Sequence, residues 1–298
     1  MAVAKPREDR PGAAVLIMAA AILLFTMIDT SAKWLILAGM PPLEVVFSRY
    51  AGALVTALII FLPRGGVSEF RSNRPALQAL RALALLSSTV FNFFALRYLP
   101  ITLTIALFFA MPIVTTVLSV LVLGEKVGLR RFGAVVVGFG GVLVIVQPWG
   151  AEFHWAVFLS MGALMSASSY FILTRALAGA DNNSTSQLWA TGIATLCLAP
   201  VALRGWVWPD EPWTLAVFLF IGVLGAVSHI LATLAYRYAE ASTLAPVNYV
   251  QIIYATAVGY FVFDTLPTAW TLLGTAIIAA SGVYIWQRER LRAGSRRA

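Results

Sequence analysis

Charge is what this chain has least of. Only 11% of its 298 residues are Asp, Glu, Lys or Arg, against about 25% in an average soluble domain. So few charges cannot cover a water-facing globule. Cysteine is nearly absent as well. The single Cys197 excludes an intramolecular disulfide and any cysteine metal cluster, and its place in an apolar run suggests a small packed residue. No His/Asp/Glu cluster suggests a metal. No phosphate-cradling glycine loop or Walker lysine is present, so ATP is not the driver and no cofactor is expected. A selectivity-filter-like element is also missing.

What fills the chain instead is apolar: 60% of it is hydrophobic and its mean hydropathy is +0.85. About 20 apolar residues cross the hydrocarbon core of a bilayer as a helix. Polar, proline and glycine punctuation cuts the sequence into ten such blocks: 13–37, 43–62, 76–96, 101–123, 130–147, 155–177, 186–203, 213–236, 243–263 and 268–286. The connections are too short for a soluble domain. The first block follows Lys5, Arg7 and Arg10 as a signal peptide would. It is too long for one and has a matching copy later, so it reads as a retained first span. The fold class is an all-α membrane protein of ten transmembrane helices.

The net charge of +8 does not indicate nucleic acid, because the basic residues sit in short clusters between apolar runs and in the tail Arg288, Arg290, Arg292, Arg296, Arg297. With the N-terminus inside, 17 of the 21 Lys and Arg fall on the inner side and only Lys33, Arg97 and Arg204 on the outer, Arg49 lying within the second span. That asymmetry puts both termini in the cytoplasm, and the cell inner membrane is the expected location.

The chain also repeats. Ala95-Leu96-Arg97-Tyr98 lies over Ala235-Tyr236-Arg237-Tyr238, an offset of 140. Ile113 then falls on Ile253 and Thr116 on Thr256. With one inserted residue, Gly133, Gly141 and Val142 fall on Gly274, Gly282 and Val283, and Lys33 lies over Arg175 at a similar offset. Five spans is an odd number, so the second copy runs through the membrane in the opposite sense. The basic connection Gly124 to Arg131 is inside, and its mate Asp264 to Thr268, without a basic residue, is outside. The expected organisation is 1–147 for the first repeat, 155–286 for the inverted second, and 287–298 for a basic cytoplasmic tail. Inverted repeats recur in secondary transporters. Small residues four apart, Ala134 and Gly138, then Thr275 and Ala279, Ala276 and Ala280, allow close backbone approach. Packing within the bundle and a homodimer seam both stand open.

Phe47-Ser48-Arg49-Tyr50 in span two resembles the drug/metabolite transporter superfamily in its ten-helix EamA-type form. So do Ala95-Leu96-Arg97-Tyr98-Leu99-Pro100 closing span three, and Leu123-Gly124-Glu125-Lys126 before the Gly133…Gly141 helix. In the second half, Asp264-Thr265 replaces the Gly-Glu pair, a departure from the family pattern. The resemblance covers essentially the whole chain. It implies a cavity lined by spans one, three, four, six, eight and nine, open to one side at a time. It also implies alternating-access transport of small metabolites, with export of amino acids, aromatic ones included, as the main expectation. Vitamins and organic cations are the alternative cargo on the same fold, since fold does not fix substrate.

Polar side chains at membrane depth usually face a cavity or a partner. Span three offers Ser88, Thr89 and Asn92; span eight has Ser228 and His229 at the repeat-related depth; span six has Ser169. On span nine, Asn248, Gln251 and Tyr254 or Ala255 share one helical face, and amides beside tyrosines suit a zwitterion, which needs donors and acceptors. In span four, Phe108 and Met111 form either an apolar cavity wall or ordinary packing, and Pro112 frees a carbonyl and permits a bend. Asp29 and Lys33 are four apart and either pair or leave Lys33 to snorkel outward. Asp29, Glu44 and Arg49 are the candidate coupling or gating charges, with His229 as a further proton-relay candidate. An intramembrane enzyme is the remaining reading of another class. No glycine-rich oxyanion turn surrounds Ser166, Ser168 or Ser228, and Asp29 has no second deep aspartate.

Overall fold

The computed structural model describes residues 10–123, 129–150, 153–177, 179–239 and 244–295, and among them every regular element is helical. In chain order these are α1 Pro11–Leu37, α2 Pro42–Gly65, α3 Pro75–Leu96, α4 Ile101–Phe108, α5 Met111–Leu123, α6 Leu129–Val146, α7 Val157–Ala176, α8 Asn183–Ala202, α9 Pro212–Tyr238, α10 Gln251–Phe263 and α11 Ala269–Ser295. Short 3-10 turns occupy Gly66–Phe70, Leu203–Gly205 and Ala245–Val250. Lys5, Arg7, the Gly124–Gly128 part of the basic connection, and Arg296 and Arg297 of the tail lie outside the described residues.

Among the described residues, seven helical segments are long and apolar enough to cross a membrane: Gly12–Leu37, Pro42–Pro63, Pro75–Leu96, Ile101–Leu118, Val157–Thr174, Asn183–Gly205 and Pro212–Tyr236. Three shorter apolar helices, Phe132–Val146, Val247–Phe263 and Ala269–Tyr284, fall on the fifth, ninth and tenth blocks of the sequence. Large apolar side chains point outward along these helices, Leu16 at 73% exposure and Phe261 at 81% among them. Water would reject such a surface, whereas lipid chains accept it.

Local sequence sets the turns. After α1, Gly39 takes φ +98, the Gly39 N–H reaches Ile36 O at 3.2 Å and Met40 N–H reaches Leu35 O at 3.0 Å. This is a glycine-dependent helix stop that satisfies two terminal carbonyls. Pro42 and Pro75 stand in the first turns of α2 and α3, where the missing N–H costs nothing. At the end of α10, Asp264 holds φ 50, a left-handed conformation that Asp tolerates better than most residues. Its repeat mate at position 124 is glycine. The two loops thus start with residues suited to the same backbone, despite the Gly-Glu to Asp-Thr change.

The fourth block is not one continuous helix. It stops at Phe108 and restarts at Met111. Pro112 has no N–H to offer the Phe108 carbonyl, and the N–H groups of both Ile113 and Val114 turn to Ala110 O, at 3.0 and 3.1 Å. The ninth block changes at the matching place, from the 3-10 turn Ala245–Val250 to α10 beginning at Gln251. Met111 and Gln251 are 140 positions apart, the repeat offset itself.

The chain forms two compact units, and neither is a sequence repeat: each takes helices from both. One unit comprises residues Met27–Leu99 and Phe158–Val227. In it α8 packs on α2 and α3, and α2 crosses α9 so closely that a Cβ on Gly222 would lie 2.5 Å from Gly52 Cα. The other comprises Met1–Thr26, Pro100–Val157 and Ser228–Ala298. There α6 packs along α11 and α4 along α10. Ala14, Met18 and Ile22 of α1 form a core with Ala235, Ala239, Leu244 and Val247.

Two sequence readings change. Cys197 is exposed on α8 rather than packed; a thiol is apolar enough to face lipid, so an apolar run at this depth does not imply burial. The small-residue positions divide by face. Gly141 and Gly274 meet inside the second unit, where a Cβ on either would fall 2.9 or 2.6 Å from the other's carbonyl oxygen. Ser281 Oγ donates to Ala134 O at 2.5 Å. Ala134 and Thr275 are buried, whereas Ala276 and Ala280 face outward. The α6–α11 contact therefore accounts for the buried set as packing within the bundle.

Candidate functional site

In the Met27–Leu99/Phe158–Val227 unit, five polar residues at membrane depth are tied together through α3. Arg49 donates to Thr89 Oγ1 at 2.6 Å, and its guanidinium stands over the rings of Tyr50 and Phe93, 5.0 and 5.8 Å from their centroids. Tyr50 hydroxyl lies 2.8 Å from Thr89 Oγ1, which itself donates to Leu85 O at 3.1 Å. Tyr50 hydroxyl also reaches Leu85 O, at 3.2 Å, so Thr89, Tyr50 and Arg49 form one network at the Leu85 carbonyl. One turn along, Asn92 Nδ2 donates to Asp29 Oδ1 at 3.0 Å, and Arg49 acts on the Asp29 carboxylate coulombically. Asn92 Oδ1 is buried and has no hydrogen-bond partner among the described residues.

Lys33 is buried rather than turned outward. Its Nζ donates to the carbonyls of Leu96 and Leu99, at 3.1 and 2.5 Å. These are acceptors at and just past the end of α3, where a cation also meets the negative end of the helix dipole. Spacing along α1 cannot reveal this, because the partners come from another helix. Ser88 donates to Ala163 O of α7 at 3.0 Å, and Ser169 bonds Met165 O within its own helix at 2.9 Å. Glu44 is buried and accepts the Val207 N–H at 3.2 Å, holding the loop that follows α8. Ser88 and Glu44 thus have defined interhelical or loop partners.

In the other unit, the two helix breaks hold an aromatic pair. Phe109 and Tyr249, 140 positions apart in the repeat, meet edge to face at 5.2 Å. Tyr249 hydroxyl extends to Ala279 O at 3.4 Å in a space that only glycine at 282 leaves open, since a Cβ there would stand 2.4 Å from that oxygen. Asn248 is exposed and Gln251 half-buried. Asn248 lies in the 3-10 turn and Gln251 opens α10. Tyr254 packs against the Ala14–Val247 core. Phe108 and Met111 flank the break in span four, both half-buried, and His229 meets Phe25 edge to face at 5.1 Å.

Sequence reasoning missed a second polar network, at the other end of α3. Arg81 is buried, stands 4.6 Å over the Tyr170 ring, and donates to Tyr170 hydroxyl at 2.8 Å, Thr174 Oγ1 at 2.8 Å and Ser186 O at 3.2 Å. Gln78 Nε2 joins Ser186 Oγ, at 3.0 Å, to Asp181 Oδ2, at 2.9 Å. Ser72 and the backbone and side chain of Asn73 complete the Asp181 shell. Burial works to raise the Asp181 pKa, but these donated hydrogen bonds outweigh it and hold the carboxyl below its ordinary value. Gln78 and Arg81, three apart on a helix, were the only local signal.

The family comparison matches this arrangement. Residues 12–147 and 154–286 each match the model of the EamA-like transporter family. A riboflavin transporter of Vibrio cholerae serotype O1 is 29% identical over 284 residues, covering 95% of this chain and 95% of that protein. An S-adenosylmethionine uptake transporter of Rickettsia prowazekii is 24% identical over 247 residues, covering 83% of each. A solved crystal structure shares the fold at a TM-score of 0.62 and 20% identity, covering 93% of this chain and 98% of that one. With two family matches in tandem along nearly its whole length, the chain belongs to the EamA-like transporter family.

Proposed function

We propose that this protein is a secondary transporter that carries a nitrogen-containing heteroaromatic metabolite, of the vitamin or nucleoside-cofactor class, by alternating access. Its ten spans form two inverted repeats, 1–147 and 155–286, followed by a basic tail, 287–298, with both termini on the cytoplasmic side of the inner membrane. The observation that carries the transport reading is the pair of helix breaks at repeat-related positions, with Phe109 and Tyr249 meeting between them. Interrupted spans place free backbone groups at membrane depth, the usual construction of a transporter binding site. Aromatic side chains grouped beside such a break suit a flat ring. The relatives named for riboflavin and S-adenosylmethionine support that class of cargo.

We assign substrate handling to Asp29, Asn92 and Arg49 in one unit, and to Phe108, Met111, His229, Asn248, Gln251 and Tyr254 in the other. Export of amino acids is the second reading, favoured by the amide face of Asn248 and Gln251. The relatives described above are not named for amino acids. Counterflow in proteoliposomes separates the readings. Vesicles preloaded with unlabelled compound are offered labelled riboflavin, S-adenosylmethionine or phenylalanine in turn. Exchange of either of the first two is the expected result. Exchange of phenylalanine alone moves the cargo to amino acids, and exchange of none by folded protein refutes this substrate assignment.

A further inference from the structure

The cluster around α3 is internally bonded at one end and open at the other. Thr89 is engaged by Leu85, Tyr50 and Arg49. Its role is to fix the Arg49 guanidinium, which two aromatic rings also flank. Asn92 differs. Its Nδ2 donates to Asp29 Oδ1 at 3.0 Å, so the nitrogen end of the amide faces the carboxyl group. Oδ1 is thereby turned away, buried and unpartnered among the described residues. An unpaired buried acceptor is destabilising, and lipid chains cannot supply a donor to relieve it. Such a group in a folded protein calls for a role.

We propose that Asn92 Oδ1 and the Asp29 carboxylate form a two-acceptor subsite that receives the N–H of an amide or imide edge of the substrate, while Arg49 takes the adjoining carbonyl. The proposal rests on the transport reading above and narrows its substrate class. Both oxygens call for a hydrogen donor, and an amide or imide supplies one with a carbonyl acceptor fixed beside it for Arg49. Arg49, anchored by Thr89 and within coulombic reach of Asp29, offers a fixed donor beside the acceptors. Together they complement a –CO–NH– unit, as in a pyrimidine-dione ring. The same pattern discriminates strongly, since a site built to receive a hydrogen bond rejects an analogue that lacks it.

Riboflavin and its N3-methyl derivative, which lacks only the imide N–H, are the probes. Purified full-length protein is titrated with each, reading flavin fluorescence quenching, and both are tested in counterflow. The wild type is expected to bind riboflavin about tenfold or more tighter than the methylated compound. Asn92→Leu, of similar volume, is expected to bring the two within about twofold by weakening riboflavin alone. Equal binding of the two probes by the wild type overturns the subsite and needs no variant that must fold. So does an Asn92→Leu protein that keeps the wild-type preference. In both cases riboflavin exchange persists and the transport reading stands. A wild type that neither binds nor exchanges riboflavin overturns the subsite together with its assigned substrate.

Discussion

At the residue scale, the Arg81 and Asp181 network makes the sharpest claims. Arg81 directs separate nitrogens to Thr174, Ser186 and Tyr170, a fork that a lysine ammonium cannot reproduce. Arg81→Lys should therefore lower thermal stability nearly as much as Arg81→Met, each by about 2 kcal/mol, checked by scanning fluorimetry in detergent. Asp181 adds a pH dependence of known sign. Its carboxyl titrates below the ordinary aspartate value, so its contribution is complete above the unfolded-state pKa of about 4 and is lost as pH falls through the folded value. Asp181→Asn should lower the melting temperature at pH 7 and leave it nearly unchanged at the acid end. A constant difference across that range would contradict the assignment. At this scale the sequence was least legible. It marked Asp29, Arg49 and Asn92 as costly groups in an apolar setting, but their partners come from different helices. Lys33 shows the same limit: a helical periodicity points it at Asp29, and only the position of the α3 terminus makes it a cap.

At the element scale, glycine contacts separate close helix crossings from open faces. Gly141 and Gly274 lie where α6 and α11 touch, and an added methyl on either meets a backbone oxygen under 3.0 Å away. Gly140, the neighbour of Gly141, has nothing within 4 Å. Gly141→Ala and Gly274→Ala should each destabilise by roughly 1–3 kcal/mol through overpacking. Gly140→Ala should be neutral or stabilising by up to about 1 kcal/mol, from helix propensity. Similar losses at 140 and 141 would mean that the crossing is misplaced. Sequence reading found small residues on both helices but could not say whether they met each other or a second copy, because spacing defines a face and not its occupant. The break in span four was more legible, since Pro112 removes a specific hydrogen bond. Its counterpart in span nine, the Ala245–Val250 turn, has a proline at 246, six positions earlier in repeat register than Pro112 would require. A matched break thus arises from unmatched prolines.

At the scale of the whole molecule, the repeat and the basic-residue asymmetry carried most of what the sequence could say, because both sum weak signals over many positions. A second asymmetry accompanies them. Of the nine tryptophans, Trp34, Trp149, Trp155, Trp206, Trp208, Trp213 and Trp270 fall at or near helix ends on the side poor in Lys and Arg in the proposed topology. Indole rings favour the interface between headgroups and hydrocarbon, so tryptophans and arginines mark opposite sides. The single native cysteine makes the topology directly testable. Cys197 faces outward on α8, within an apolar stretch, where lipid chains shield it from a membrane-impermeant maleimide. In a Cys197→Ser background, Asp210→Cys, in the loop before α9, should label in intact cells. Asn182→Cys, in the loop before α8, should label only after the membrane is opened. The reverse pattern would invert the molecule while leaving the repeat intact. Labelling of both from outside would break the inverted arrangement itself, since α8 would then no longer cross.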